Sequence, residues 1–276
     1  MLFVNPRSGD GKAERAAVGE RARELGIEVV LLDPGQSPAA AVREAVEAGA
    51  DALGVAGGDG SLAVVASAAV EHGLPFVCVP AGTRNHFARD LGLDPHDPAG
   101  ALDAFGDGVE RRVDVGDVSG RLFLNNVSLG IYGEAVRQAG YRDARLRTLL
   151  DTADEVLRGG VEIPELRLLD RRGREHRGPD VVLVSNNPYA PAAPPRAGGR
   201  PALDGGVLGV IVLDPPSGGR PAGGRSWTAE SVEVEAPSVV HAGIDGEAAD
   251  LEPPLRFAIR PGALRVRVPA RAAGRG

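Results

Sequence analysis

Residues 52–61 read Ala-Leu-Gly-Val-Ala-Gly-Gly-Asp-Gly-Ser, a short apolar strand pattern that ends in a glycine turn with a carboxylate at its centre. Gly57, Gly58 and Gly60 let backbone N–H groups approach phosphate oxygens with no Cβ in the way, and the helix expected next points the positive end of its dipole at the same place. Asp59 is the informative residue. A bare carboxylate facing a polyphosphate repels it, so an acid in this turn points to an intervening Mg²⁺ or to proton transfer. Gly58, Gly60 and Ala63 also satisfy a loose G-x-G-x-x-A dinucleotide pattern, but Val79-Pro80 stands where a ribose-binding acid would be expected.

Two further loops carry similar chemistry: Asn5-Pro6-Arg7-Ser8-Gly9-Asp10-Gly11-Lys12 and Ala81-Gly82-Thr83-Arg84-Asn85. Thr83 and Asn85 can bond a nucleotide or cap the helix that runs through Phe87 to Leu91. All three loops follow apolar runs expected to be strands, at Leu2–Val4, Ala52–Ala56 and Pro75–Val79. Helices are expected at Ala13–Leu25, Pro38–Glu47 and Leu62–Glu71, with a further strand at Ile27–Leu32. Strands alternating with helices of this length predict a parallel sheet, whose ligands bind beyond the carboxyl ends of its strands.

From about Arg112 the texture changes to short strands broken by Gly and Pro turns, among them Val113–Val118, Val181–Val184, Val207–Leu213, Val232–Val234 and Leu264–Val268. Two helical stretches, Ile131–Gln138 and Arg145–Leu157, interrupt them. The expected architecture is an α/β domain over 1–112 and a β-sandwich-like domain over 113–276. Residues 190–201 and 215–225 are Pro/Gly/Ala-rich and read as loops.

The 276-residue chain carries a net charge of −7, which argues against nucleic acid as a partner. Cys78, the only cysteine, lies in an apolar run and reads as core packing. The first residues lack a signal-peptide pattern and no segment approaches eighteen continuous apolar residues, so the expected location is cytoplasmic, with membrane contact at most peripheral. Arg137, Arg142, Arg145 and Arg147 are candidates for such contact.

With its motifs in order, the chain resembles the diacylglycerol kinase catalytic-domain family, which also looks like the sphingosine kinases. Asn5-Pro6-x-Ser8-Gly9 resembles the family's NPxSG loop, Gly57-Gly58-Asp59-Gly60-Ser61 its GGDGT, and Pro80-x-Gly82-Thr83-x-Asn85-x-Phe87-Ala88-Arg89 its P-x-GT-x-NDFAR. Asn126-x-Ser128-Leu129-Gly130 and Asp245-Gly246-Glu247 match later signatures. The resemblance implies a phosphofructokinase-like or NAD-kinase-like first domain and transfer of the ATP γ-phosphoryl group to a lipid hydroxyl. It places Asn5, Pro6, Ser8, Gly9, Gly57, Gly58, Asp59, Gly60, Ser61, Gly82, Thr83 and Asn85 at the nucleotide. Asp245 is implied as general base, Glu247 and Asp59 as its acidic partners at Mg²⁺, and Asp204 as a ligand of a structural Mg²⁺.

From spacing alone, Asp245 and Glu247 in an extended segment would share one face. An acidic turn is the other reading of the same three residues. His86 stands where the family usually has Asp, and Gly205 where many relatives carry a second acid, so a weakened, nucleotide- or lipid-binding protein stays open. So does an NAD kinase-like activity, which shares the GGDG turn. The implied partners are ATP and a lipid acceptor, and a homodimer is compatible with the chain.

Overall fold

The structure, a computed structural model, describes residues 1–32, 38–130, 165–170, 173, 175–179, 181–190, 199–214 and 223–273. The chain parts into two compact units, Met1–Val113 with Gly262–Gly276, and Asp114–Pro261.

In the first unit, strands β1 (Leu2–Val4), β2 (Val29–Leu31), β3 (Leu53–Gly57) and β4 (Phe76–Pro80) pair in parallel in the order β2-β1-β3-β4. β3 and β4 are buried along their whole length, which is why both read as unbroken apolar runs. Helices α1 (Lys12–Arg15), α2 (Val18–Glu24), α3 (Pro38–Glu47), α4 (Asp59–His72) and α5 (His86–Asp90) follow the strands in alternation. The strand order reverses between β1 and β3, so the loops leaving these two strands flank the place where ligands of open parallel sheets bind.

The single helix expected over Ala13–Leu25 is two pieces, broken at Ala17, whose φ is +48°. Ala13, Val18 and Ala22 all join one apolar cluster with Leu2, Val4, Ala56, Val77 and Val79. Five residues along an unbroken helix turn through about 140°, so Ala13 and Val18 could not both face that core without the break. Gly54 has its own packing role: a Cβ there would come within 2.4 Å of the Phe105 ring, which a 3-10 segment, Ala99–Phe105, lays against the sheet.

In the second unit, β7 (Asn126–Gly130), β10 (Val181–Asn186), β11 (Leu208–Asp214), β12 (Gly223–Ala229), β14 (Val240–Ile244) and β15 (Glu247–Leu251) form an antiparallel sheet in the order β12-β11-β10-β7-β14-β15. A second layer contains β8 (Arg167–Asp170), β9 (Glu175–Arg177), β13 (Ser231–Glu235) and the first part of β16 (Leu255–Pro269), with β5 (Gly108–Val118) and β6 (Arg121–Phe123) beside it. Leu168, Val232, Val234, Leu255 and Phe257 from this layer share one buried cluster with Val127, Leu129, Val182, Val184, Leu208, Val210 and Val212 from the six-stranded sheet. These are alternate residues along their strands, as a sandwich with one inward face per sheet requires.

The division at 112/113 needs correcting at the carboxyl end. Residues 262–276 belong with the first unit. β16 is long: Leu255–Ala258 pair with β13, whereas Val266 and Arg267 pair in parallel with Phe76 and Val77 of β4. A parallel partner distant in the chain leaves no local signal. The expected helices at 131–138 and 145–157, the four arginines there and much of the two expected loops lie outside the described residues.

Candidate active site

The three glycine-bearing loops meet in the first unit. Asn5 closes β1, and its Nδ2 donates to Ser61 Oγ on α4 at 3.0 Å. Ser8 Oγ accepts the Gly58 N–H at 3.2 Å. Gly9 has φ +57°, and a Cβ there would come within 2.6 Å of Ala81 O. On Gly82 a Cβ would lie 2.5 Å from Gly58 Cα. Besides these side-chain bonds, the loops approach backbone to backbone at distances only glycine permits.

The helix begins earlier than its apolar pattern indicates. Gly58 is the N-cap and Asp59, Gly60 and Ser61 form the first turn of α4. Gly58 brings no capping side chain, so the first-turn amides of this 14-residue helix gain no bond from that position. A helix end of this kind, opened by glycine, attracts anions. Asp59 is half-buried at the head of that helix.

Asn85 neither caps α5 nor faces outward. It occupies the N-cap position with φ +54°, makes no capping bond, and folds its amide back onto Gly82. Thr83 is exposed, and Pro6, Ser8 and Gly9 are half-buried. Lys12, the only lysine of the chain, lies at the end of the first loop. Desolvation lowers its pKa, and the Arg89 charge lowers it further. His86 is also shifted down, by desolvation first, against the opposing attraction of Asp59.

In the second unit, Asp245 and Gly246 have φ +49° and +87° and join Ile244 to Glu247 across the β14–β15 hairpin. Two central residues of positive φ define a type I′ turn, for which Asp-Gly is a preferred pair. The extended segment expected here is thus a turn, and the alternation argument that put Asp245 and Glu247 on one face does not apply. Asp245 is buried, while Glu247 is exposed at the head of β15.

The Asp245 carboxylate accepts three backbone N–H bonds: Leu124 to Oδ2 at 2.8 Å, Asn125 to Oδ1 at 2.7 Å and Asn126 to Oδ1 at 3.1 Å. Charge-assisted bonds of this kind fix the orientation of the group. Around it, at one end of the six-stranded sheet, lies a buried polar cluster that sequence reasoning missed: Asp114, Asn125, Asn186, Asn187 and Arg200. Asn186 Nδ2 donates to Asp114 O and Leu124 O, and Asn187 Nδ2 donates to Asp114 Oδ2. The signal available was the asparagine doublets 125–126 and 186–187 bordering apolar strands.

The loop that carries Asp204 is closed by protein groups. Gly205 N–H donates to Asn187 Oδ1 at 2.9 Å and Gly206 N–H to Asp114 Oδ2 at 2.7 Å. Asp204 is exposed, and a Cβ on Gly205 would meet Asn187 Oδ1 at 2.7 Å. Among the described residues no three His, Cys, Asp or Glu side chains gather as a metal cluster, at Asp204 or at Asp59.

The family profile described as diacylglycerol kinase catalytic domain matches residues 1–118. A probable lipid kinase YegS-like protein of Pseudomonas aeruginosa is 32% identical over 98% of this chain and 94% of its own length. A diacylglycerol kinase of Mycobacterium tuberculosis is 36% identical over 42% of this chain and 39% of its own. A solved diacylglycerol kinase structure from Bacillus anthracis shares the fold at a TM-score of 0.69, with 18% identity over 98% of this chain and 97% of the other. On the full-length likeness and the matched amino-terminal region together, this chain belongs to the diacylglycerol kinase family of lipid kinases.

Proposed function

We propose that the protein is an ATP- and Mg²⁺-dependent kinase that phosphorylates the free hydroxyl of diacylglycerol or a related lipid. The observation that carries this reading is the meeting of the loops after β1, β3 and β4 in front of the α4 amino terminus. Asn5, Ser8, Gly58, Ser61 and Gly82 hold that meeting together.

The first-turn amides of α4 and the glycine backbone fit a polyphosphate, and Asp59 fits the single-carboxylate manner in which proteins hold a phosphate-bound Mg²⁺. Bound there, Mg²⁺ would neutralise charge on the phosphate oxygens. Pro6, Gly9, Gly57, Gly60, Thr83 and Asn85 complete the nucleotide loops, and Glu247 is the second candidate acid. In the reaction, the acceptor O–H gives its proton to Asp245 as its oxygen bonds the γ-phosphorus. The bond from that phosphorus to the β–γ bridging oxygen breaks and ADP leaves. The Leu124 amide on Oδ2 and the Asn125 and Asn126 amides on Oδ1 hold this carboxylate in place for that transfer.

No helix among the described residues is long and apolar enough to cross a membrane. In this reading the lipid acceptor is met at a membrane surface through peripheral contact. Purified protein given labelled Mg-ATP and diacylglycerol, monoacylglycerol or a sphingoid base in mixed micelles, with NAD in parallel, tests the proposal. Label is expected in a lipid and lost on chelation. Tight Mg-ATP binding without transfer to any lipid would refute it and favour a binding protein, to which the imidazole of His86 beside Asp59 lends support.

A further inference from the structure

We propose that Arg200 is a positioning residue for Asp245, acting through the peptide unit that joins Leu124 to Asn125. This rests on the reading of Asp245 as the general base.

Arg200 is 5% exposed, an unusual place for a guanidinium. Its Nη1 donates to Leu124 O at 2.5 Å and to Asn186 O at 2.8 Å, and its Nη2 donates to Asn125 Oδ1 at 2.9 Å. The N–H of the same peptide, that of Asn125, donates to Asp245 Oδ1 at 2.7 Å. A cation and a carboxylate thus grip opposite ends of one planar, resonance-coupled group.

A bond accepted at the carbonyl oxygen draws electron density from the amide nitrogen, so its N–H becomes a stronger donor, and chains of bonds in a low dielectric reinforce each other. The three amides that hold Asp245 come from consecutive residues, 124 to 126. Whatever fixes the Leu124–Asn125 peptide therefore orients the carboxylate. Arg200 does so with a planar fork that also secures the Asn125 side chain and the end of β10, a set of contacts an ammonium cannot reproduce. Asp114 and Asp245 are the two carboxylates of this buried cluster and Arg200 is its guanidinium.

The test compares Arg200→Gln, which keeps a donor and removes the charge, with Arg200→Lys, which keeps the charge and removes the fork. One readout is independent of catalysis: the Asn125 amide proton in a ¹H–¹⁵N spectrum of the whole protein. It should resonate far downfield in the wild type, move upfield in Arg200→Gln, and lie between the two in Arg200→Lys. In the lipid kinase assay Arg200→Gln should lower kcat by about tenfold or more, with KM for ATP unchanged, and Arg200→Lys should recover part of the loss. An Asn125 resonance that stays put in both variants, or equal kcat for Gln and Lys, overturns the proposal. If Asp245→Asn keeps full kcat, the base assignment fails separately, whereas the Asn125 shift still tests the Arg200 relay.

Discussion

Asn85 and Gly82 close a ring within one loop: Asn85 Oδ1 accepts the Gly82 N–H at 2.8 Å, and Asn85 Nδ2 donates to Gly82 O at 2.7 Å. Both residues are buried and Asn85 has φ +54°, so the side chain satisfies the backbone of the glycine whose missing Cβ lets Gly58 approach. Asn85→Ala should cost about 3 kcal/mol, from two lost buried hydrogen bonds and a left-handed alanine. Asn85→Gly, which tolerates that φ, should cost about 1 kcal/mol less. Denaturant midpoints of the two variants check the order.

Gly82→Ala puts a methyl group 2.5 Å from Gly58 Cα, and Gly9→Ala puts one 2.6 Å from Ala81 O in a residue of positive φ. Each should push the loops apart and weaken Mg-ATP binding by about tenfold or more, since roughly 1.4 kcal/mol of lost fit has that effect. Calorimetric titration of the folded variants measures it.

Asp245→Asn should lower kcat by on the order of 10²–10⁴ while leaving the affinity for Mg-ATP near the wild-type value. Its amide nitrogen must also face one of the three N–H donors, so melting should fall as well. A fall in melting temperature with unchanged kcat would make Asp245 a structural residue of the hairpin turn.

The lowered pKa of His86 gives a signed pH dependence. Between its folded-state value and the ordinary 6.5 the unfolded chain binds more protons at this site than the folded one. The contribution to stability is therefore complete above 6.5 and falls as the solution is acidified through that window. Urea titrations from pH 7.5 to pH 5 should show a shallower loss for His86→Gln than for the wild type.

Cys78 is fully enclosed in β4, and burial first, then the negative charge of Asp59, pushes its thiol well above the ordinary range. Thiol reagents need the thiolate, so the native protein should stay unmodified at pH 8 and react only on unfolding.

The order of strands and helices in the first unit, and the three loops that carry its glycines, were legible because each is local. An apolar run followed by a glycine turn and a helix signals itself within about a dozen residues. What the sequence determined by itself was this set of pieces and the residue types able to face a polyphosphate. The tertiary structure decided the rest, since it turns on partners far apart in the chain. Ala17 breaks a helix so that Ala13 and Val18 reach one core. Val266 returns to pair with Phe76. Asp245 finds the amide of Leu124 across 121 positions, in a hairpin turn that strand alternation cannot foresee. Arg200, bland by composition, becomes the buried cation of a polar cluster because two other segments, at 124–125 and at 186, lend it their oxygens. Such groups must find partners once water is excluded, and only the closed fold brings those partners within hydrogen-bond reach.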